Sequence, residues 1–401
     1  CYFRREPVRA EPLSRNHTLR NFVSMRTLHG SAHGARCTVP QTTTAAPQLS
    51  IRRLRGAVRA AASATAPAPS ASGSPLANNG AAVDWHLQTL KHVVDSGQFN
   101  RAAVDVVFNE ALKMEKVRPG TPESKVLDGF IMSTLFYEPS TRTRLSFESA
   151  MSRLGGTVLS TESAGEYSSA AKGETLEDTV RTVEGYADCI VIRHFQEGAA
   201  KRAAAVASVP ILNAGDGPGQ HPTQALLDLY TIQREIGRLS DIKVGMIGDL
   251  ANGRTVRSLA MCLSMYDNVQ LYFVAPEVVR MRDDIKSYLT ARGVKWTEVS
   301  DLREVAADVD VLYQTRIQKE RFQDMTSYAA AKGKYIIDRE VMRALQPHAV
   351  VMHPLPRVDE ITTDVDSDPR AAYFRQARNG LYVRMALLKL CLADGRSDIR
   401  L

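Results

Sequence analysis

The sequence predicts an α/β protein built from two doubly wound domains, each with a central parallel sheet, linked by helices. From about residue 84 onward, short runs rich in β-branched residues alternate with helical patterns, an order typical of parallel sheets covered on both faces. The length of 401 residues is enough for about two domains. The predicted strands are 131–136, 157–160, 189–193, 209–213, 243–249, 269–274, 309–313 and 349–352, with helices in the gaps.

The chain is predicted to divide near residues 236–240, where a helical pattern ends and a new strand and helix series begins. About four strands then belong to each half. The last periodic apolar segment, 371–392, is a long helix with no strand after it. The predicted parts are a leader and linker over 1–83, a first domain over 84–236, a second domain over 237–370, and a C-terminal segment over 371–401.

The positive charge is concentrated in the leader. Residues 1–83 contain 11 Arg, no Lys and two acidic residues, whereas the rest of the chain carries 40 basic and 42 acidic residues. The net charge of +7 therefore does not indicate a nucleic-acid partner. The leader is rich in Ser, Thr, Ala and Arg and resembles an organellar transit peptide, with 52–62 similar to a plastid processing zone and Met25 as a candidate start. We expect that the leader directs the protein to plastids. The alternatives are a mitochondrial leader or a plain disordered tail.

The composition argues against several classes of protein. No apolar run reaches the roughly 18 residues that cross a membrane, so we expect a soluble protein without a membrane partner. The five cysteines form no CxxC pair, which argues against a metal site, and Cys189, Cys262 and Cys391 are expected to be buried. The glycines of 245–253 suggest a nucleotide-binding oxidoreductase, but they do not form GxGxxG, and no cofactor is expected.

The strongest functional signal follows the first predicted strand. Pro139 forces a turn, residues 140–144 read Ser-Thr-Arg-Thr-Arg, and apolar residues then recur at helical spacing until Gly155. The unpaired N–H groups and the dipole of a helix N-terminus favour a phosphate there. An ordinary helix cap needs only one hydroxyl, whereas this turn has three hydroxyls and two arginines. We therefore predict an anion socket formed by Ser140, Thr141, Arg142, Thr143 and Arg144.

Other strand ends carry groups suited to a carbonyl and an amide. Arg193 ends a predicted strand and is either a second clamp or a surface arginine. A glycine-rich turn delivers His221 and Gln224 to a helix start, where a neutral imidazole can donate to a carbonyl oxygen and an amide can accept from an NH2 group. The loop 353–357 contains two prolines, which remove N–H donors but leave carbonyl acceptors exposed.

Two further arginines indicate a dianionic second substrate. Arg254 stands at a strand-to-helix junction, and Arg316 follows the predicted strand that ends at Tyr313. A four-carbon dicarboxylate needs two bidentate cationic partners, which Arg supplies better than Lys. A substrate that presents an ammonium group would instead require an acidic partner.

Together these motifs resemble the aspartate and ornithine carbamoyltransferases. The stretch 136–148 resembles the family's carbamoyl-phosphate motif, 221–224 matches its HPTQ, and 351–360 matches its HPLP loop, in the family's order over about 84–401. The resemblance implies that the last helix crosses back to the first domain and that the cleft between the domains is the active site. The HCLP and SMG signatures of the ornithine enzymes are missing, so aspartate is favoured as the acceptor and an ornithine-type enzyme is the alternative.

The resemblance also implies a role for each residue. Arg142, Thr143, Arg193, His221 and Lys172 are the expected catalytic residues. The expected carbamoyl-phosphate site consists of Ser140, Thr141, Arg142, Thr143, Arg193, His221, Gln224, Pro354 and Leu355, completed by Ser168 and Lys172. The expected aspartate site consists of Lys172, Arg254 for the α-carboxylate, Arg316 for the β-carboxylate, and Gln318.

The polar loop 163–173 would by itself be interpreted as a solvated loop. In the family this loop crosses from a neighbouring subunit, so the resemblance implies a homotrimer with shared active sites. The plant members are inhibited by UMP, and Tyr167, beside the loop, is the candidate residue to stack on a uracil ring.

Overall fold

The computed structural model describes residues 90–167, 172–319, 322 and 324–393. The predicted leader and Ser168 lie outside the described residues. Within these ranges, two parallel sheets are covered by helices, and the predicted fold class is confirmed.

The first sheet contains four described strands in the order β2-β1-β3-β4, and every pair is parallel. Its strands are β1 (Ile131–Phe136), β2 (Thr157–Glu162), β3 (Cys189–His194) and β4 (Ile211–Asp216). The helices of this half are α1 (Arg101–Met114), α2 (Thr141–Arg153), α3 (Ala164–Tyr167), α4 (Leu176–Val183), α5 (Ala199–Val206) and α6 (Pro222–Ile236), with 3-10 turns at Ser96–Gln98 and Pro122–Lys125.

The second sheet contains five described strands in the order β7-β6-β5-β8-β9, again all parallel. Its strands are β5 (Lys243–Ile247), β6 (Gln270–Val274), β7 (Lys295–Val299), β8 (Val311–Gln314) and β9 (Val350–Met352). The helices are α7 (Arg254–Leu263), α8 (Asp283–Ala291), α9 (Leu302–Ala306), α10 (Met325–Ala331), α11 (Arg339–Ala344) and α12 (Tyr373–Leu392), with 3-10 turns at Glu277–Val279 and Thr363–Val365.

Two expectations about secondary structure were wrong. The prediction of about four strands in the second half missed β7, an edge strand whose sequence Lys-Trp-Thr-Glu-Val is mostly exposed. Edge strands often carry charged residues, so β7 lacks the apolar run that marked the others. The loop 163–173, expected to be irregular, also contains the single helical turn α3, in which Ala164 is buried.

The topology gives each sheet one switch point. In the first sheet the chain moves from β1 to β2 on one side and then crosses to β3 on the other, so the strand order reverses between β1 and β3. In the second sheet the same reversal occurs between β5 and β8. Such switch points leave a crevice at the carboxyl ends of the strands, where open α/β sheets bind ligands.

One apolar core joins the two halves. A single buried cluster contains Met132 of the first sheet, Met246 of the second, and Leu226 and Leu388 of the helices between them. Helix α12 packs on α1, α2 and α6, so the C-terminal helix returns to the first half. No helix within the described ranges is both long and apolar enough to span a membrane.

The predicted domain boundary falls in the connection between Ile236, the end of α6, and Lys243, the start of β5. The exact limits of the domains stay a prediction.

Candidate active site

A cleft of about 790 Å³ lies where the two switch points face each other. This volume is within the range of small-molecule sites, about 300–1,000 Å³. The cleft brings together most of the predicted site residues. From the first half these are Ser140, Thr141, Arg142, Thr143, Arg193, His221 and Gln224, and from the second half Arg254, Arg316, Gln318, Pro354 and Leu355.

The predicted anion socket forms the first turn of α2. Ser140 is the residue before the helix, and its side chain makes no capping hydrogen bond. The first N–H groups of a helix have no partner within the helix, so they remain suited to an anion. Thr143 is buried beneath the turn, and Arg142 is exposed on the side of the cleft.

Arg144 does not belong to the socket, so this part of the prediction was wrong. Its guanidinium lies 2.8 Å from the Glu162 carboxylate and 3.3 Å from that of Glu148, and it donates to Ser160 at 3.1 Å. Successive side chains are separated by about 100° around a helix with 3.6 residues per turn. Arg142 and Arg144 therefore point in different directions, and Arg144 connects α2 to β2.

Two arginines from different halves of the molecule meet above Gly215. A Cβ atom at Gly215 would lie 2.9 Å from Cζ of Arg254 and 3.3 Å from Nη1 of Arg193. The glycine, with φ of 114°, therefore permits the close approach of both guanidinium groups. The Glu138 carboxylate lies 3.4 Å from Arg193 and 3.8 Å from Arg254, and Arg254 also donates to the Gly217 carbonyl at 2.7 Å.

His221 is buried at the start of α6, within the cleft wall. Burial lowers its pKa well below 6.5, and the charges of Arg254, Arg193 and Arg384 act in the same direction. The imidazole is therefore neutral at physiological pH and can donate from one nitrogen only. Its Nδ1 has no hydrogen-bond partner among the described residues. This group can supply an N–H donor to a carbonyl oxygen without adding a charge.

The loop after β9 is held by a buried histidine and glutamate. Nε2 of His353 lies 2.8 Å from Oε1 of Glu360, and Nδ1 of His353 accepts the N–H of Leu355 at 2.7 Å. Since Nδ1 accepts, Nε2 carries the proton and donates to the carboxylate. Leu355 has a φ of 52°, in the left-handed region that costs a leucine about 1–2 kcal/mol. The imidazole thus holds the backbone between Pro354 and Pro356 in one conformation.

The loops after β5 and β8 are tied together by Asp249. This fully buried carboxyl accepts the N–H of Asn252 at 3.0 Å and that of Gln318 at 3.4 Å. Burial raises the pKa of Asp249, while these hydrogen bonds and Arg316 lower it. Arg316 and Gln318 therefore project from a backbone that is anchored to the neighbouring strand end.

Several polar groups of the cleft were missed by sequence reasoning. Asn252, Gln376 and Arg384 line it as well as Glu138. Arg384, on α12, is buried with its guanidinium 5.1 Å from the Phe147 ring centroid, and burial lowers its pKa to about 10. A helix in the last quarter of the chain carries no strand-end signal, so only the tertiary packing brings Arg384 here.

The structure places one of the three predicted residues of the loop 163–173. Lys172 is exposed and does not line the cleft of its own chain. Tyr167 is the last residue of α3, but its side chain lies outside the described part of the chain, as does Ser168.

Comparison with known families identifies the family of this chain. The family "Aspartate/ornithine carbamoyltransferase, carbamoyl-P binding domain" matches residues 91–234, and its partner "Asp/Orn binding domain" matches residues 240–391. The chain belongs to the aspartate/ornithine carbamoyltransferase family. The family resemblance predicted from the motifs is thereby confirmed.

Relatives of this carbamoyltransferase include aspartate carbamoyltransferase 3, chloroplastic, of Pisum sativum, which is 66% identical over 304 residues, 76% of this chain and 78% of the pea protein. The chloroplastic aspartate carbamoyltransferase of Oryza sativa is 65% identical over 309 residues, 76% of this chain and 85% of the rice protein.

Solved structures of aspartate transcarbamoylases are also similar to this chain. The catalytic subunit of Methanocaldococcus jannaschii aspartate transcarbamoylase has a TM-score of 0.71 at 50% identity, covering 77% of this chain and all of that one. Aspartate transcarbamoylase of Trypanosoma cruzi in complex with carbamoyl phosphate and aspartate has a TM-score of 0.71 at 43% identity, covering 75% of this chain and 96% of the other.

Proposed function

We propose that this carbamoyltransferase transfers the carbamoyl group of carbamoyl phosphate to the amine of L-aspartate, giving N-carbamoyl-L-aspartate and phosphate in de novo pyrimidine (UMP) biosynthesis. The observation that carries the proposal is one cleft that combines an anion socket, a neutral imidazole and two further arginines at the opposite switch point. The relatives named above are aspartate carbamoyltransferases.

The donor occupies the first half of the cleft in this proposal. The N-terminus of α2 with Ser140, Thr141, Arg142 and Thr143 holds the phosphate. Thr143, Arg193 and His221 donate to the carbonyl oxygen, where negative charge develops in the transition state. Gln224 and the carbonyls of Pro354 and Leu355 accept from the carbamoyl NH2 group.

The acceptor occupies the second half. Arg254 binds the α-carboxylate, Arg316 binds the β-carboxylate, and Gln318 helps to orient them. The aspartate amine attacks the carbonyl carbon, the bond from that carbon to the phosphate oxygen breaks, and the departing phosphate takes the amine proton. Positioning of the two anions supplies much of the acceleration, since effective molarities of roughly 10⁵ M are attainable.

Aspartate is favoured over ornithine by the charge of the cleft. Among the described residues that line it, Glu138 is the one carboxylate, and it faces Arg193 and Arg254. An ornithine ammonium group would require an acidic partner that is not already shared by two guanidinium groups. The proposal is tested by incubating the purified chain with labelled carbamoyl phosphate and each acceptor. Labelled carbamoyl-aspartate is expected; labelled citrulline alone would overturn the assignment.

The proposed assembly is a homotrimer in which Ser168 and Lys172 complete the site of the neighbouring subunit. Strand β2 is an exposed edge of the sheet. Leu159 on β2 is 43% exposed and Leu145 on α2 is 50% exposed, so this side of the first half has apolar surface to bury. Mixing inactive Lys172→Ala and Arg142→Ala chains is expected to restore some activity, because a mixed trimer contains an intact composite site. No recovery in mixed trimers of verified composition would count against shared sites.

Feedback inhibition by UMP is proposed through Tyr167. A Tyr167→Ala variant is expected to lose inhibition by millimolar UMP, while Tyr186→Ala, whose ring is 63% exposed in the same half, keeps it. Unchanged kinetics of the unmodified enzyme in millimolar UMP would remove this proposal.

The proposed location is the plastid stroma. Support comes from the composition of residues 1–83 and from the chloroplastic names of the pea and rice relatives. A fluorescent protein fused after residue 83 is expected to enter plastids; a mitochondrial signal would favour the alternative address.

A further inference from the structure

A buried carboxyl group lies one helical turn beyond Gln224. Asp228 is fully buried on α6, and it accepts hydrogen bonds from three different elements of the fold. Its Oδ1 accepts from Nε2 of Gln224 at 2.9 Å and from Nε2 of Gln376, on α12, at 2.6 Å. Its Oδ2 accepts from the hydroxyl of Tyr313, on β8, at 2.7 Å. Asp228 thus links helices of the first half to the central region of the second sheet.

These contacts decide which way two amide groups face. An amide has a carbonyl on one side and an NH2 on the other, and a half-turn exchanges them. Because Oδ1 of Asp228 accepts from both glutamines, each must turn its NH2 group toward Asp228. The Oε1 atom of Gln376 then accepts the backbone N–H of His353 at 2.8 Å. Gln224 lines the cleft, and its Oε1 atom, on the side of the amide away from Asp228, remains available as an acceptor.

We propose that Asp228 is a positioning residue that leaves only acceptors in the part of the cleft that faces the NH2 group of the donor. It holds the oxygen of Gln224 available to the cleft, and through Gln376 it holds the start of the loop that presents the carbonyls of Pro354 and Leu355. A donor that carries an NH2 group on its acyl carbon is therefore selected over one that carries a methyl group there. This inference rests on the proposed carbamoyl-phosphate site and deepens it.

The arrangement does not depend on the ionisation of Asp228. Burial raises its pKa to about 7, while Tyr313, Gln376, Gln224 and the charge of Arg384 lower it. When Asp228 is protonated at Oδ2, the Tyr313 hydroxyl can accept a hydrogen bond from the Oδ2–H group, because a hydroxyl both donates and accepts. Oδ1 then still accepts from both glutamines, and their orientation is unchanged.

The experiment compares two probes that differ only at the selected group. Carbamoyl phosphate and acetyl phosphate share the phosphate and the carbonyl, but one has NH2 where the other has CH3. Their dissociation constants are measured by calorimetry on the full chain. Asp228→Leu is expected to raise the dissociation constant of carbamoyl phosphate by roughly 10- to 100-fold, the usual effect of a mismatched hydrogen-bonding group. The dissociation constant of acetyl phosphate is expected to rise by less than about threefold. An equal loss for both probes, or no loss for either, would overturn the proposal.

A second variant keeps the test decisive if Asp228→Leu fails to fold. Asparagine can keep its oxygen toward the two glutamines and direct its NH2 group at the Tyr313 hydroxyl. Asp228→Asn is therefore expected to retain the preference for carbamoyl phosphate within about threefold. Loss of that preference in folded Asp228→Asn would contradict the mechanism. The matched control is Thr231→Val, on the same helix, which removes a buried hydroxyl that accepts from Asn379 of α12 at 3.0 Å and leaves both affinities unchanged.

Gln224 separates failure of this inference from failure of the proposed site. If Gln224→Met loses selectivity and the Asp228 variants do not, then Gln224 binds the carbamoyl group but Asp228 does not position it. If Gln224→Met itself keeps full selectivity, the proposed role of Gln224 is wrong, and with it the inference. In the Gln224→Met background, Asp228→Leu is expected to add less than about threefold, because the two residues act through one contact.

Discussion

The two ends of the cleft recognise their ligands in different ways. At the anionic end, Arg142 is exposed, and the side chains of Arg193 and Arg254 are 15% and 14% exposed. Arg142 and Arg254 lie in the first turns of α2 and α7, and Arg193 lies at the carboxyl end of β3. At the carbamoyl end, His221 and Gln224 are buried, at 4% and 8% exposed, and the hydrogen bonds around them reach into the core.

The difference follows from the chemistry of the ligands. A phosphate or carboxylate is attracted over several ångströms, and a guanidinium on a long side chain can adjust to meet it. A carbamoyl group is neutral, so it is recognised only if the donors and acceptors of the site are already oriented toward it. Rigid neighbours are needed to keep these groups in one orientation, which explains why the carbamoyl end is built from buried hydrogen-bond networks.

The anionic end is tested most directly at Arg142. Arg142→Ala is expected to lower kcat by at least about 10³-fold, because it removes a charged donor from the phosphate that leaves. Arg144→Ala, two residues along the same helix but paired with Glu148 and Glu162, is expected to keep most of the activity. Equal losses in steady-state assays of the two variants would show that the helix, rather than the socket, was damaged.

The carbamoyl end is tested at His221. His221→Ala is expected to lower kcat by about 10²-fold, the typical effect of one lost donor to a developing oxyanion. The control is His194→Ala, since His194 is also buried but packs on Tyr137 and Phe195 outside the cleft. Activity of the His221 variant within a factor of two of the wild type would exclude it from catalysis.

The acceptor site is tested with a substitution that keeps the charge. Arg316→Lys is expected to raise the KM for aspartate by roughly 10- to 100-fold and to leave the affinity for carbamoyl phosphate unchanged, because lysine cannot form the bidentate contact. Arg292→Lys serves as the control, because Arg292 stacks on Tyr288 and neither residue lines the cleft. A change confined to carbamoyl phosphate would reverse the assignment of the two ends.

A smaller effect concerns stability at low pH and should be specific to the buried end. The pKa of His221 is well below 6.5 in the folded protein, so below pH 6.5 only the unfolded chain takes up this proton. Stability is then lost as the pH falls, by about 1.4 kcal/mol per pH unit for one proton. Asp228 has the opposite sign, because its pKa of about 7 lets the folded protein bind a proton first.

The two contributions are separated by thermal unfolding of the wild type and of His221→Asn between pH 5 and 8. As the pH falls below 6.5, the melting temperature of the wild type is expected to decrease by more than that of the variant. Parallel curves would mean that the imidazole takes up its proton in the folded protein.

The sequence predicted the anionic end well and the carbamoyl end only in part. Arg142, Arg193, Arg254 and Arg316 each stand at a strand end, and strand ends can be located from apolar runs. Gln224 was found through the motif next to His221, but the group that orients it was not. Asp228 is one acidic residue within a helix whose residues 222–232 are all buried, and the sequence of α6 does not indicate that it contacts Tyr313 and Gln376.

Two features were missed and one was placed wrongly, because each depends on where an element lies in the fold and not on a local motif. Strand β7 was missed because an exposed edge strand carries no apolar run. Arg144 is two residues beyond Arg142 and therefore points to a different side of α2, although the two residues are close in the sequence. Arg384 was missed because it is brought to the cleft by α12, from more than 150 residues beyond Thr223, to whose hydroxyl it donates at 3.5 Å.

The sequence by itself determined the family, the two parallel sheets, and the positions of the charged groups, since these depend on periodicity and on residues adjacent along the chain. The tertiary structure alone decided how the polar groups are oriented. Whether Gln224 offers an oxygen or an NH2 group depends on Asp228, and Asp228 is held by residues 85 and 148 positions away. Hydrogen bonds have a direction that composition does not encode, and only folded neighbours supply it.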